Sequence, residues 1–325
     1  MKKTLLITLI SVLAFSTIGY LSLQENSQNV RAQQDALILF KQFKKNYNKK
    51  YADPDFESYR FGVFSENLEI LKTDSTFGIT QFMDLTTAEF SEQYLTLKVN
   101  KDLKKGQIYQ ANDDVEIKEI DYTTLGKVTP VKDQGRCGSC YAFSTTGAIE
   151  SALLISGVGE ANTLSLSEQE IVDCVKEPEY NQLGGCQDGY MDESFKYIIK
   201  NKISKAADYP YTAVEGKCQD TSSFQKYAIS SYVDIPSGDC KALLTALQER
   251  PISVAVDAKN LQFYTSGIFS NCSDNLTHAV LLVGYSSSSL KIKNSWGPYY
   301  GENGYIRLAL GNTCGVCNAA SYPVL

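Results

Sequence analysis

The stretch Val131–Ser144, VKDQGRCGSCYAFS, sets two of the chain's nine cysteines three residues apart, directly ahead of a run with helical character. Cys137 and Cys140 have four readings: half of a metal knuckle, a redox pair, a disulfide, or two cysteines with unrelated tasks. A zinc site of the paired-knuckle kind needs a second close pair, and Cys314 and Cys317 offer one. Spacing alone therefore leaves zinc open. Two further observations favour one disulfide cysteine and one thiol nucleophile. Nine is an odd number, so at least one thiol stays free or pairs elsewhere. Cys140 also opens the predicted helix CYAFSTTGAIESALLIS, with apolar residues on one face, where the positive end of the helix dipole lowers a thiol pKa and favours the thiolate.

A nucleophilic thiol needs a partner base, and the chain holds one histidine in 325 residues. His278 stands in NLTHAVLLVGY, at the start of a predicted apolar strand, where its ring can face a cleft while Val280 and Leu282 face a core. A lone histidine reads more readily as a surface or structural residue, and the cysteine pattern reverses that reading. An imidazole must be held in the right tautomer, and Asn294, at a predicted strand end in KIKNSWGPYYGENGY, can hold it. Trp296, the only tryptophan, is close enough in sequence to shield that hydrogen bond.

The amino terminus, MKKTLLITLISVLAFSTIGYLSL, places Lys2 and Lys3 before an apolar run and then small residues, the pattern of a secretory signal peptide over 1–24. An uncleaved anchor is the competing reading, because the apolar tract can be extended to Leu23. The secretory route is oxidising, so most cysteines should pair. A net charge of −6 and a pI near 5.1 argue against a nucleic-acid partner, which demands clustered Lys and Arg. Helical periodicity runs from Gln33 to about Leu71, as two amphipathic helices separated by the turn Ala52–Asp55. Lys98–Asp114 is polar with few apolar anchors and reads as a linker, and the acidic excess lies beyond it. From 114 to about 225 the texture is helical, with Ser167 placed to cap SEQEIVDC. After about 226 come short branched and aromatic runs such as ISVAVDA and LKIKNSW, with Ser286–Ser289 as a hairpin tip, predicting an antiparallel sheet curled into a barrel.

These motifs resemble the papain and cathepsin L family of cysteine peptidases, whose local mark is C-G-S/A-C-W/Y with His and Asn roughly 130 to 150 residues downstream. The resemblance extends over nearly everything after the signal segment, including LILFKQFKKNY, LSLSEQEIVDC, GGCQDGYM, YPYTAVEGKC, GPYYGENGYIRL and NAASYPVL. It implies an α+β, papain-like two-lobed fold over 114–325, with a helical lobe at about 114–225, a β-barrel lobe at about 226–325 and the active site in the cleft between. It assigns Cys140 as nucleophile, His278 as base and then acid, Asn294 as the group orienting the imidazole, and Gln134 as partner of the Cys140 amide in an oxyanion hole. It pairs Cys137 with Cys186, Cys174 with Cys218, and Cys272 with Cys314. Cys240 and Cys317 fall outside the pattern, either bonded to each other or present as thiols. No metal or organic cofactor is required.

The same resemblance makes 25–113 an inhibitory propeptide domain with its linker. Arg60, Phe64 and Asn67 match one motif, in which Phe56 stands where an acidic residue is usual and Glu57 is one step out of register. Gly78, Phe82 and Asp84 match a second, with Thr80 replacing Asn. Processing is expected between roughly Ala111 and Glu116. The pocket for the second acyl-side substrate residue is expected from Tyr190, Met191, Ala255, Leu276 and Ala279, with Ala319 at its base; Gly189 admits substrate backbone, Trp296 is a further substrate-binding residue, and Tyr300 stands on the leaving-group side. Tyr122, Tyr141 and Tyr300 stand where Trp is commoner, and Asp188 replaces a Gly.

What the resemblance implies in sum is a cathepsin L-like endopeptidase zymogen that prefers bulky apolar side chains in that pocket and works at acidic pH. Protein and peptide substrates, its own propeptide and cystatin-type inhibitors are its expected partners. It is expected as a monomer in a lysosome, a phagosome-like vacuole or the extracellular space, without stable membrane insertion once the signal is removed. Sequons at Asn271 and Asn275 suit the secretory route. Three other readings compete: an inactive binding or storage homologue, a secreted inhibitor acting through residues 33 to about 100, and a thiol-disulfide oxidoreductase built on Cys137 and Cys140.

Overall fold

The computed structural model describes residues 31–97, 106–112, 114–176, 184–187 and 189–325. The expected signal segment 1–24, part of the linker, and Asp188 lie outside the described residues. Two units separate between Lys72 and Thr73.

In the first unit, α1 covers residues 31–46 and α2 covers Pro54–Ile70. The expected turn separates them. Asp53 caps α2 by accepting the Phe56 N–H at 2.8 Å, and Pro54 takes a first-turn position, where a missing N–H costs nothing. Phe64 packs its ring 5.3 Å from Phe40 and 5.1 Å from Phe43, joining the helices through aromatic contact. The departure at Phe56 has a local answer. The Arg60 guanidinium lies 4.8 Å over the Phe56 ring, and Glu57 pairs with Lys44. A cation–π contact thus joins Arg60 to the residue that departs from the motif.

The second unit begins with a segment carrying α3, Thr87–Tyr94. Sequence periodicity did not single out this helix. Its signal is the capping box: Thr86 accepts the Glu89 N–H, and Glu89 accepts the Thr86 N–H. Four longer-range helices follow: α4 (Cys140–Ile155), α5 (Glu168–Cys174), α6 (Met191–Asn201) and α7 (Cys240–Leu247). Ser167 caps α5, as expected, by accepting the Glu170 N–H at 3.0 Å.

The strands are β1 (Gln107–Ile108), β2 (Ile120–Asp121), β3 (Ile203–Ser204), β4 (Lys226–Tyr227), β5 (Ser231–Asp234), β6 (Ile252–Val256), β7 (Ile268–Phe269), β8 (His278–Tyr285), β9 (Ser289–Lys293), β10 (Tyr305–Ala309) and β11 (Ala320–Val324). Among the described residues, β3 pairs with β4, and the others form a nine-stranded sheet ordered β1-β5-β11-β6-β8-β9-β10-β7 with β2 attached to β8. The pairings that build the lobe beyond residue 226 are antiparallel as expected, apart from β7 with β10, which is parallel, and β1 from the linker joins β5 in parallel. Both parallel pairs use two-residue strands brought in by connections too short in regular structure to show a period. The polar tract forms the expected hairpin tip between β8 and β9, closed by the Ser286 N–H donating to the Ser289 carbonyl.

The helix that opens at Cys140 differs from its expected amphipathic form. Every residue of α4 from Cys140 to Leu154 is buried, because α5 and α6 cover one side while β6, β8 and β11 cover the other. Glu150, buried within it, has its oxygens occupied by Lys132 at 2.7 Å, the Leu166 N–H at 2.8 Å and the Thr129 hydroxyl. Lys132 also reaches Glu168 at 2.6 Å, and Lys293 donates to Thr129 at 3.0 Å. Two lysines thus answer two buried carboxylates. Burial pulls Lys293 down to about 8, and burial raises Glu168 above its ordinary value. Removing one partner would strand a buried charge, a change that typically costs about 3 to 5 kcal/mol.

Four disulfides join Cys137 to Cys186, Cys174 to Cys218, Cys240 to Cys317 and Cys272 to Cys314. Cys240 and Cys317, left open by the sequence, are therefore bonded. The zinc reading fails with the same observation, since Cys137, Cys314 and Cys317 have no thiolate to give a metal. No helix among the described residues is long and apolar enough to cross a membrane.

Non-reducing peptide mapping is expected to recover a Cys240–Cys317 linked peptide, with alkylation of the unfolded chain confined to Cys140. Replacing Cys240 and Cys317 together by Ser should lower unfolding free energy by about 2 to 4 kcal/mol, measured by denaturant titration.

Candidate active site

The loop Asp133–Ser139 positions the thiol. The Asp133 carboxylate accepts the Gly135 N–H at 2.9 Å, and Gly135 takes φ +57°, a left-handed conformation that favours glycine. The Cys137–Cys186 bond and a Gly138 N–H to Cys186 carbonyl bond of 2.7 Å pin the far side of the turn. Cys140 then becomes the first residue of α4 and is fully buried.

His278 is the first residue of β8, opposite Val256 of β6. Helix α4 runs along β8, and the Ser144 hydroxyl donates to the Val280 carbonyl at 2.7 Å. Ser144 is one turn from Cys140 on the same helix face, and Val280 is two residues from His278 on the same strand face. The thiol and the imidazole therefore occupy the matching ends of facing elements.

Asn294 follows β9, its N–H held by the Gly304 carbonyl at 3.0 Å. Its side-chain oxygen accepts the Ser295 backbone N–H at 2.8 Å and lies 2.8 Å from His278 Nε2. A backbone N–H can only donate, so Oδ1 is an acceptor in place, and Nε2 must carry the hydrogen. The lone pair of the neutral ring is then at Nδ1, which is buried and has no hydrogen-bond partner among the described residues. Trp296 stacks on the imidazole with ring centroids 4.7 Å apart and planes at 28°, covering the His278–Asn294 bond.

Gln134 is fully buried, with its oxygen accepting from the Ser295 hydroxyl at 2.7 Å and its side-chain nitrogen donating to the Cys137 carbonyl at 3.0 Å. An amide nitrogen has two hydrogens, so a second donor remains. Ser295 was missed by sequence reading, although its place beside Asn294 was a signal. It supports Asn294 through its N–H and Gln134 through its hydroxyl.

Five of the six predicted pocket residues fall into two groups. Ala255 on β6 lies opposite Ala279 on β8, and the Ala255 N–H donates to the Ala319 carbonyl at 2.9 Å, so these three are neighbours. Tyr190 and Met191 form the start of α6, which packs on β11 just beyond Ala319. Leu276 is half-buried, two residues before His278. Gly189 has a packing role as well: a Cβ there would fall 2.3 Å from the Tyr141 ring. The three Tyr-for-Trp positions each find an acceptor for the added hydroxyl. Tyr122 donates to Leu247 at 3.0 Å, Tyr141 to Gly185 at 3.0 Å and Tyr300 to Leu261 at 2.7 Å, all at backbone carbonyls.

The segment from Thr73 to Leu97 lies across this site. Gly78 donates its N–H to the Phe263 carbonyl at 2.8 Å, where a Cβ would meet Thr265. Thr80 donates to the Gln262 carbonyl at 2.6 Å, and Gln81 donates to the Trp296 carbonyl at 3.0 Å. Phe82 and Phe90 set their rings edge-on to Trp296 at 5.3 and 5.4 Å, and Asp84 is buried nearby in sequence. Further on, Thr96 donates to the Gly138 carbonyl at 2.9 Å while the Leu97 N–H donates to the Thr277 carbonyl at 3.2 Å. Two consecutive residues thus bind the chain beside Cys140 and the chain beside His278. Sequence reading had placed no contact at Phe90, Thr96 or Leu97. Of the two sequons, Asn275 is exposed, whereas Asn271 is half-buried with its oxygen 3.2 Å from Asn260 Nδ2.

Residues 117–324 match the papain family cysteine protease pattern, and residues 40–90 match that of the cathepsin propeptide inhibitor domain. The chain belongs to the papain family of cysteine proteases. It is 42% identical over 311 residues to Cathepsin L 2 of Paramecium tetraurelia, covering 92% of this chain and 96% of that one. It is 36% identical over 339 residues to a cathepsin L-like proteinase of Fasciola hepatica, covering 97% and 98% respectively. The solved structure of the digestive procathepsin L2 proteinase from Tenebrio molitor larval midgut matches with a TM-score of 0.81 at 32% identity, over 89% of this chain and 100% of that one. The protein is accordingly a cathepsin L-like cysteine peptidase made with its propeptide, on an α+β papain-like fold.

Burial depresses His278 to about 4 from an ordinary 6.5, against the Asn294 bond, which favours the charged ring. A state in which water reaches the ring takes up a proton near 6.5. The covered state is therefore fully favoured above that pH and loses this advantage as pH falls from 6.5 toward 4. With one histidine in the chain, its imidazole Cε1–H resonance can be followed without overlap from another histidine. In the full-length Cys140→Ala protein that resonance should titrate near pH 4, and removal of the propeptide should move its midpoint toward 6.5; a midpoint of 6.5 in the full chain would contradict the burial argument.

Proposed function

We propose that Cys140, His278, Asn294 and Gln134 hydrolyse peptide bonds through a thioester. His278 takes the Cys140 proton at Nδ1, and the thiolate attacks the scissile carbonyl carbon. The tetrahedral oxyanion is met by the Cys140 N–H and the second Gln134 amide hydrogen. The imidazolium returns its proton to the leaving amine, and the C–N bond breaks. Water, giving a proton to His278, then releases the acyl group and restores the thiol. The observation that carries this reading is the orientation of the only imidazole, with Nε2 committed to Asn294 and the Nδ1 lone pair left over.

Tyr190, Met191, Ala255, Leu276, Ala279 and Ala319 form the pocket for the second acyl-side residue, with Ala319 at its base. None of them is a carboxylate, so Leu or Phe is preferred there over Arg. Residues 25–113 act as the intramolecular inhibitor, and the enzyme over 114–325 is released by cleavage between roughly Ala111 and Glu116. It works at acidic pH in a lysosome, a phagosome-like vacuole or outside the cell, as a monomer open to cystatin-type inhibitors. The related procathepsin L2 of the Tenebrio molitor larval midgut is digestive, which supports bulk protein as the substrate class.

After acid processing, fluorogenic dipeptide amides with Leu or Phe at the second position should be cleaved faster than those with Arg. Epoxide thiol inhibitors should abolish the activity, and Cys140→Ala should lack it. Gln134→Ala should lower kcat on the order of 100-fold. Equal rates for Arg and Leu substrates would overturn the pocket assignment, and undiminished cleavage by Cys140→Ala would overturn the mechanism.

A further inference from the structure

Tyr211 belongs to none of the groups above. It lies in YPYTAVEG, and its ring stands edge-on to Phe143 of α4, with centroids 4.9 Å apart and planes at 82°. Its phenolic oxygen is 2.7 Å from the Gln134 backbone carbonyl and 2.6 Å from the Ser139 hydroxyl. A carbonyl only accepts, so the single phenolic hydrogen goes to Gln134. The Ser139 hydroxyl must then donate to the Tyr211 oxygen. Ser139 is the N-cap residue of α4, a position where Ser ordinarily accepts a helix N–H, yet its side chain makes no cap bond here. Its other contact, to the Cys137 carbonyl, is long at 3.4 Å.

We propose that Tyr211 is a positioning residue for the oxyanion site, its one hydroxyl tying together the two ends of the turn that carries the Gln134 amide and the Cys140 N–H. The inference rests on the reading of Gln134 and Cys140 given above. The two donors sit at either end of the Gln134–Cys140 loop, and an oxyanion donor is useful only if its place is fixed before charge develops. Tyr211 bonds the carbonyl of the first donor's residue and the side chain of the residue just before the second. Burial holds the phenol pKa up, and the Cys140 thiolate raises it further, so the hydrogen stays on the oxygen while the thiolate forms.

Tyr211→Phe keeps the ring on Phe143 and removes the oxygen. Full-length protein of each variant would be processed by the same added protease. The expected result is a kcat about tenfold lower with KM changed less than about twofold, and affinity for a peptide aldehyde weaker by about tenfold, because its hemithioacetal oxygen occupies the oxyanion site. Alkylation of Cys140 by iodoacetamide, which has no oxyanion, should keep its rate. In a Gln134→Ala background, Tyr211→Phe should cost less than about twofold more, since both changes act on one donor set. Ser139→Ala, which removes the other end of the bridge, should lose kcat in the same direction if Tyr211→Phe does not fold. Unchanged kcat and aldehyde affinity would overturn the proposal. So would a full additional loss in the Gln134→Ala background, or parallel losses in alkylation and aldehyde binding, which mark general packing. Absence of thiol-dependent cleavage by wild type would instead refute the function reading.

Discussion

The site depends on one oxygen. Asn294 Oδ1 accepts from the Ser295 N–H and from His278 Nε2, and the first bond dictates the second. A side-chain amide alone could rotate and present its nitrogen. The neighbouring backbone donor prevents that, and the imidazole hydrogen is thereby assigned to Nε2. Trp296 then covers the pair on the ring face, so water does not compete for the bond. The chemistry expected of Cys140 follows only if this arrangement is kept.

Keeping it is the task of the packing around α4 and β8. The Ser144 to Val280 bond sets the helix against the strand, and the Ser253 hydroxyl donates to the Ser144 carbonyl at 3.0 Å from the next strand over. Behind them, Lys132, Glu150, Glu168 and Lys293 form a buried charge cluster that spans α4, α5 and β9. Apolar packing tolerates small slides, whereas the Glu150 carboxylate, bonded to Lys132, Thr129 and the Leu166 N–H, favours one register of α4. The Gly297 N–H to Lys132 carbonyl bond of 3.1 Å and the Gln134 N–H to Ser295 carbonyl bond of 2.8 Å join the same two regions through backbone.

Much of this was legible in the chain. The cysteine beginning a helix, the single histidine ahead of an apolar strand and Asn294 beside Trp296 stood out because each is a residue type with a chemical demand in a recognisable local setting. Three disulfides came from resemblance, and the fourth is seen only in the folded chain, because Cys240 and Cys317 have no local signal linking them. The all-round burial of α4 escaped a search for a one-sided stripe, since Thr145, Thr146 and Glu150 break the apolar pattern while remaining inside. Short strands such as β1 and β7 carry too few residues to show a period. Ser295 and Tyr211 were illegible for a different reason: their value lies in bonds to residues far along the chain or in backbone groups, which no spacing rule exposes.

The propeptide segment acts on the same geometry. Thr96 and Leu97 engage the backbone beside Cys140 and His278, while Phe82 and Phe90 extend the aromatic cover of Trp296. The central claim is that Ser295 and Asn294 force the hydrogen of the only imidazole onto Nε2. It is tested most directly by ¹⁵N NMR of the full-length Cys140→Ala protein labelled at its one histidine, near neutral pH. The account predicts a protonated, pyrrole-type signal at Nε2 and an unprotonated, pyridine-type signal at Nδ1; the reverse assignment, or averaged signals from exchanging tautomers, would contradict it.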